Sequence, residues 1–242
     1  ADVGDLVRTI IVDSSITARI KKDQIINNEN IQDGDVIVGL SSFGKSKFEN
    51  KYNSGIGSNG LTSARHDVFD NFLATKYPES FDPEVPKDLV YSGTKKILDK
   101  IDDLELNIGN LVLSPTRTYT PLLKIIFEKA GRNNINGIIH CTGGGQTKIL
   151  NFINNLHIIK DNLFDIPPIF KLIQNESATD PKEMYKVFNM GHRMEIYTDS
   201  NTANKIIEIS NSYSIDAQVI GKVQSSDTKK LSIISELGNF EY

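Results

Sequence analysis

Apolar and polar positions repeat along this chain with two periods, and the periods predict where strands and helices lie. Short apolar or alternating runs predict strands. They cover residues 6–13, 16–21, 35–40, 137–140, 156–160, 194–198, 217–223 and 231–234. The run 35–40 is apolar almost throughout, which is typical of a strand buried on both faces of a sheet.

Apolar residues at helical spacing predict a second set of elements. These helices cover 61–73, 94–101, 115–130, 146–153, 168–174, 181–187 and the segment after Asp199. Residues 41–57 form a long polar loop, and 77–93 form a proline-rich irregular excursion. Because strands and helices mix without strict alternation, we predict an α+β fold, a layered α/β/α domain around a mixed sheet.

The most informative stretch is 137–145, where an apolar strand ends in His140 and a run of glycines follows. Gly143, Gly144 and Gly145 permit positive φ and a close approach of backbone to ligand. The first turn of a following helix suits a phosphate. A histidine at the carboxyl end of a strand lies where α/β proteins hold ligands. The pattern predicts a phosphate site beside His140, although a plain tight turn and a core histidine remain open.

A second glycine-rich segment, 55–60, formally matches the dinucleotide fingerprint G-x-G-x-x-G. The fingerprint must follow its strand directly, and here more than a dozen residues separate it from Leu40. We therefore reject a dinucleotide site. The segment still leads into a helix, so Ser58 and Asn59 mark a second candidate anion site. The lysines of the preceding loop either attract phosphate or are simply solvated.

Composition narrows the class of protein. The chain has 242 residues, a net charge of −4 and a pI of about 5.6, which argues against a nucleic-acid partner. No stretch approaches the ~18 apolar residues of a membrane span. The single cysteine, Cys141, excludes an internal disulfide and a Cys-based zinc cluster. We expect a cytoplasmic protein with no membrane partner, and we read Cys141 as a buried small hydrophobe.

Six segments in order resemble the carboxy-terminal domain of aminoimidazole ribonucleotide synthetase, also called phosphoribosylformylglycinamidine cyclo-ligase. Each motif is modest alone, but together they span nearly the whole chain. The segments are Gly34–Leu40, Ser58–Gly60 with Arg65, Leu113–Tyr119, His140 with Thr142–Gly145, Glu183–Gly191 and Val219–Val223.

The resemblance implies closure of the imidazole ring of formylglycinamidine ribonucleotide, with ATP and Mg²⁺ as cofactors and a homodimer as the intact protein. His140 resembles the family's active-site histidine, which polarises or protonates the amide oxygen region. The implied phosphate- and substrate-binding residues are Ser58, Asn59, Gly60, Thr142, Gly143, Gly144, Gly145, Asn189 and Gly191. Arg65 and Arg117 match family positions without an assigned role. No metal ligand is predicted in this chain.

Two departures from the family pattern stand out. Many bacterial members carry a histidine directly before Ser-Asn-Gly, where this chain has Gly57, and His66 does not replace it by alignment. The 77–93 excursion is also longer than usual. Residues 1–5 look like the tail of an amino-terminal ATP-binding and dimerisation domain, followed by a single domain over 6–242. We therefore expect the 242-residue chain alone to have little cyclase activity.

Two other readings stay open. One is a sister enzyme of the same superfamily: selenophosphate synthetase, thiamine-phosphate kinase, the hydrogenase-maturation dehydratase or formylglycinamidine ribonucleotide synthetase. The other is a non-catalytic ligand-binding module, which Gly57 favours and the retained His140 disfavours.

Overall fold

A computed structural model describes residues 15–58, 60–101 and 106–242, and a seven-stranded mixed sheet runs through it. The strands, in chain order, are β1 Val36–Ser41, β2 Ile135–His140, β3 Leu156–Lys160, β4 His192–Thr198, β5 Ala217–Ser225, β6 Lys230–Ser235 and β7 Gly238–Glu241. Their order across the sheet is β2-β4-β1-β5-β3-β6-β7. Strands β3 and β6 pair in parallel, and the other strand pairs are antiparallel.

Helices cover both faces of the sheet. They are α1 Leu61–Val68, α2 Phe72–Lys76, α3 Ile108–Val112, α4 Thr120–Ile126, α5 Pro168–Ser177, α6 Pro181–Val187 and α7 Ser200–Ser212. Short 3-10 segments lie at 22–24, 78–80, 87–89, 132–134 and 145–151, and a π-helical turn at 127–131 extends α4.

Alternation of side chains along β1 separates two hydrophobic cores. Ile37 belongs to the larger core, which α1, α3, α5 and α6 cover, whereas Val38 and Leu40 belong to a second core under α4 and α7. All three side chains are fully buried. The predicted α+β fold, with helical layers on both faces of a mixed sheet, is therefore confirmed.

Most predicted strands are present, with two differences. Residues 16–21 form no strand, and Ile16 and Ile20 are exposed there, so the prediction for this run is wrong. The run 6–13 and the proposed tail 1–5 lie outside the described residues. Strand β7 was not predicted because Gly238–Glu241 is short and mostly polar; it pairs with β6 alone.

Helix ends follow the capping signals where a side chain supplies the cap. Asp180 accepts a hydrogen bond from the N–H of Lys182, and Asp199 accepts from Asn201 and Thr202, as predicted. The predicted helix 94–101 is wrong, because Lys95 pairs with Phe69 and Lys100 with Asn107 in isolated bridges. The predicted helix 61–73 is two helices, α1 and α2.

Two further helix predictions need correction. Helix α4 begins at Thr120 and not near Pro115, since Arg117 is tied by hydrogen bonds to the 41–49 segment. Residues 145–151 form a 3-10 helix where an α-helix was predicted. Within the described residues, no helix is long and apolar enough to cross a membrane.

Candidate active site

His140 is the last residue of β2, as predicted, and its side chain is half-buried. Its ring packs edge-on against Tyr119, with 6.2 Å between ring centroids. The Nε2 atom is buried without a hydrogen-bond partner. Burial, followed by the positive charges of Arg193 and Lys148, lowers the pKa of His140 to about 4. The imidazole is therefore neutral at pH 7.

The glycine turn follows directly. Gly143, Gly144 and Gly145 all have positive φ, at 62°, 106° and 48°, so the turn uses the conformational freedom that the sequence predicted. Lys148 Nζ donates to the carbonyl of Thr142 at 2.7 Å, which ties the two sides of the turn together. The following helical segment is seven residues of 3-10 helix, and it begins at Gly145.

A small cleft brings three of the predicted site residues together. Ser58, Thr142 and Asn189 line it, with Cys141, Thr116 and Arg193. The three predicted residues come from three distant segments of the chain. Ser58 lies in the turn before α1, Thr142 in the turn after β2 and Asn189 in the turn before β4.

Phe188, which also lines the cleft, joins the two glycine-rich turns. A Cβ on Gly60 would lie 2.5 Å from its ring, and a Cβ on Gly145 would lie 2.6 Å from its carbonyl oxygen. Both glycines therefore allow close packing against one residue. Asn59 lies outside the described residues, so its predicted role has no structural account.

Asn189 uses its side chain mainly to hold the cleft wall. Its Oδ1 accepts from Ser42 Oγ at 2.7 Å and from the N–H of Gly191, and its Nδ2 donates to the carbonyl of Gly55 at 2.8 Å. Gly191 has φ 120° and packs near Pro167 and Phe164, outside the cleft lining. These contacts position the wall, and Asn189 still borders the cleft.

The two arginines that match family positions serve the scaffold. Arg117 is buried and donates to the carbonyls of Ser41, Phe43 and Gly44 and to Glu49. Arg65 contacts His66 and lies over the Tyr91 ring, away from the cleft lining.

His66 is a core residue. It is buried, and its Nδ1 accepts from the N–H of Tyr91. It therefore does not occupy the place of the histidine that Gly57 replaces.

Arg193 is a site residue that sequence reasoning missed. It is the second residue of β4, is 2% exposed and lines the cleft. Burial lowers its pKa, although a guanidinium stays charged at neutral pH. No signal in the sequence indicated this role, because the predicted strand began at Met194 and the place of Arg193 depends on its contact with the distant Gly55.

A buried polar cluster lies behind the cleft. Glu195 accepts from Lys160 Nζ at 2.5 Å, from Tyr197 at 2.7 Å and from Cys141 Sγ at 3.3 Å, and His192 Nε2 lies 3.0 Å away. The charge of Lys160 and the hydrogen bond of His192 outweigh burial and lower the pKa of Glu195.

Metal-ligating atoms of Cys141, His192 and Glu195 lie within 4.8 Å of one another. The Lys160 ammonium already occupies the cation position beside this carboxylate, and burial, with the nearby Glu195 charge, raises the pKa of the Cys141 thiol. Both features oppose a metal ion at this cluster.

Comparison with known proteins gives the family. The sequence model described as AIR synthase related protein, C-terminal domain, matches residues 32–234. The chain belongs to this family. The resemblance inferred from the six motifs is thereby confirmed.

Archaeal proteins are among the relatives. The phosphoribosylformylglycinamidine cyclo-ligase of Methanococcus maripaludis strain C5 is 32% identical over 244 residues, covering 99% of this chain and 60% of that protein. The corresponding protein of Methanocaldococcus jannaschii is 34% identical over 227 residues, covering 93% and 55%. The chain thus spans 55–60% of the length of these two curated relatives.

Solved structures resemble this chain more distantly. Phosphoribosylformylglycinamidine synthase II from Thermotoga maritima is 14% identical, with a TM-score of 0.43, over 92% of this chain and 27% of that one.

Proposed function

We propose that this chain is the carboxy-terminal part of a cytoplasmic, homodimeric enzyme that closes the imidazole ring of formylglycinamidine ribonucleotide in purine biosynthesis. The observation that carries the proposal is the convergence of Ser58, Thr142 and Asn189 on one cleft, beside the strand end that holds His140. The names of the curated relatives support the same reaction.

The residues that line the cleft are better suited to bind a phosphate group than to bind a metal ion. Thr142, which directly precedes the glycine turn, and the buried cation of Arg193 line the cleft and fit a phosphate group, whereas Gly143, Gly144 and Gly145 do not line it. ATP, when bound, would supply the phosphoryl group that turns the amide oxygen into a leaving group. Among the described residues that line the cleft there is no carboxylate, so this face offers no fitting ligands for Mg²⁺.

His140 would act on the amide oxygen as a neutral imidazole. Because its pKa is about 4, it does not carry the proton that an imidazolium would transfer at pH 7. We propose that an imidazole N–H polarises the oxygen through a hydrogen bond. Tyr119 packs against the ring and fixes its orientation. The cleft walls then hold the reacting amine near the activated carbon, which converts ring closure into a positioned, intramolecular step.

The test is the formation of ADP and aminoimidazole ribonucleotide from ATP and formylglycinamidine ribonucleotide. We would compare the intact gene product with the 242-residue chain, and expect turnover by the intact protein only. His140→Ala in the intact protein should lower the rate by roughly two to three orders of magnitude, the scale for losing one hydrogen-bond donor to a developing charge.

His157→Gln is the matched control. His157 lies on β3 and contacts Ser232, away from the cleft lining, so its replacement should leave the rate unchanged. No turnover by the intact protein with these substrates would reject the cyclase, and trials with the substrates of the sister enzymes would follow. Ligand binding unaffected by His140→Ala, without turnover, would favour a binding module.

A further inference from the structure

Arg193 carries a buried positive charge that no carboxylate neutralises within the part of the chain that the structure describes. Its Nη2 donates to the carbonyl of Gly55 at 2.6 Å, and its Nη1 is buried without a partner. A buried charge is costly unless it is paired and hydrogen-bonded. By contrast, Arg117, which is also buried, binds Glu49. The guanidinium of Arg193 is thus suited to an anion that reaches it from the cleft.

The position of Arg193 matches that role. The residue lines the same cleft as Ser58, Thr142 and Asn189, and its charge acts on His140. The bond to Gly55 fixes one side of the guanidinium, so Nη1 is held in place before any ligand binds. A preorganised donor of this kind loses little entropy on binding.

Gly57 explains how the guanidinium fits there. A Cβ at this position would lie 2.3 Å from Nη2, 2.6 Å from Cζ and 2.7 Å from Nη1 of Arg193. The backbone of Gly57 also has φ +63°. A side chain at residue 57 would therefore displace the Arg193 guanidinium from its present position. This accounts for the glycine that precedes Ser58, the departure noted in the family motif.

We propose that Arg193 is a ligand-binding residue whose Nη1 donates to a phosphoryl oxygen of the substrate or nucleotide held in this cleft. A guanidinium is the side chain best matched to phosphate oxygens, because its planar donors form charge-assisted hydrogen bonds. That the ligand is a phosphate ester rests on the proposed function. That Arg193 binds it rests on the geometry of the cleft.

Inorganic phosphate is the probe. We would titrate it into the 242-residue chain at constant ionic strength, with chloride as the competing anion, and measure binding by calorimetry. Arg193→Gln should weaken phosphate binding by roughly 10- to 100-fold, the scale for losing a hydrogen bond to a charged group. Arg19→Gln removes the same charge at an exposed position and should leave binding unchanged. Circular dichroism would verify that each variant is folded.

Two further variants keep the test decisive if Arg193→Gln does not fold. Arg193→Lys retains the positive charge but loses the planar set of guanidinium donors. Its phosphate affinity should therefore lie between those of wild type and Arg193→Gln. Gly57→Ala retains Arg193 but places a methyl group in the space of its guanidinium, and it should weaken phosphate binding. Equal phosphate affinity in wild type and these variants, or no saturable binding in wild type, would overturn the proposal.

A separate turnover assay distinguishes this proposal from the cyclase. Arg193-independent phosphate binding with normal ring closure by the intact protein would overturn only the role of Arg193. Arg193-dependent binding without ring closure would overturn only the cyclase. A merely structural Arg193 would leave the phosphate dissociation constant unchanged in the folded Lys variant.

Discussion

Arg117 binds both carboxylate oxygens of Glu49, with Nε to Oε1 at 3.0 Å and Nη2 to Oε2 at 2.7 Å. The same guanidinium donates to the carbonyls of Phe43 and Gly44. One side chain therefore fixes the shape of the 42–53 segment, which leads directly to Gly57 and Ser58.

Arg117→Lys should loosen that segment, because an ammonium cannot reproduce the planar fork. We expect faster amide hydrogen exchange over residues 42–53 and a loss of about 1.5–3 kcal/mol in unfolding free energy, the scale for hydrogen bonds to charged groups. Arg19→Lys, at an exposed position, is the control. Unchanged exchange over 42–53 in Arg117→Lys would contradict this role.

The same pair predicts an acid dependence. Burial raises the pKa of Glu49, but hydrogen bonds from Arg117 and the Ser46 N–H outweigh it and the net pKa is lowered. A carboxyl with a lowered folded-state pKa contributes stability above its unfolded pKa and loses it as pH falls through the folded value. The stability difference between wild type and Arg117→Lys should therefore shrink as pH falls below 4.5. Denaturant titrations at several pH values would measure it.

Lys160→Met should destabilise the fold by about 3–5 kcal/mol, because it leaves the Glu195 charge buried without its cation. Both side chains are completely buried. Lys186→Met is the matched control, since the Lys186–Glu183 pair is exposed and should matter by less than about 1 kcal/mol. Urea unfolding would measure the loss of unfolding free energy in each variant. Equal losses in Lys160→Met and Lys186→Met would argue against a buried ion pair. Adding Glu195→Gln to Lys160→Met should recover part of the loss.

The unfolding free energies of Gly145→Ala and Gly34→Ala distinguish the cost of backbone strain from the cost of steric crowding. Both glycines have positive φ, but a Cβ on Gly34 meets nothing within 4 Å, whereas one on Gly145 would lie 2.6 Å from the carbonyls of Tyr185 and Phe188. Gly34→Ala should cost about 1–2 kcal/mol, the penalty for a side chain in the left-handed region. Gly145→Ala should cost about 1–3 kcal/mol more from overpacking. Comparable unfolding free energies for the two variants would refute the contact with α6.

His140 should titrate near pH 4 in the folded chain, far below the ordinary value of 6.5. The unfolded chain then binds a proton at this residue between about pH 6.5 and 4 that the folded chain does not, so stability decreases as pH falls through this window. His140→Gln should have a shallower loss of stability there than wild type. NMR titration of the ring measures the pKa directly, and a value near 6.5 would rule out the desolvated environment.

The sequence predicted helix starts and strand ends correctly where a single residue and its close neighbours determine the local structure. Asp180 and Asp199 fix helix starts through their own side chains, and His140 follows an apolar run that forms a buried strand. These features need only a few neighbouring residues. The predictions for them agree with the structure.

Contacts between distant parts of the chain determine the features that the sequence did not predict. Pro115 carries a helix-start signal, yet its carbonyl accepts from Asn53 and the neighbouring Arg117 anchors a distant loop, so the helix starts later. Arg193 could not be placed in the site from sequence, because its meaning depends on Gly57, far away in the chain. The polar residues of β4 are all buried, and Arg193 and Glu195 have partners far away in the chain.

The interior strand β1 also has a consequence for synthesis on the ribosome. Its two neighbours in the sheet, β4 and β5, begin at residues 192 and 217, so β1 leaves the exit tunnel long before either partner exists. At about 5–20 residues per second, the wait is on the order of ten seconds. Throughout it, Ile37, Val38 and Leu40 belong to a nascent chain that cannot build its sheet. Newly made copies should therefore depend on chaperones that hold apolar segments, and premature termination before residue 192 should yield insoluble product.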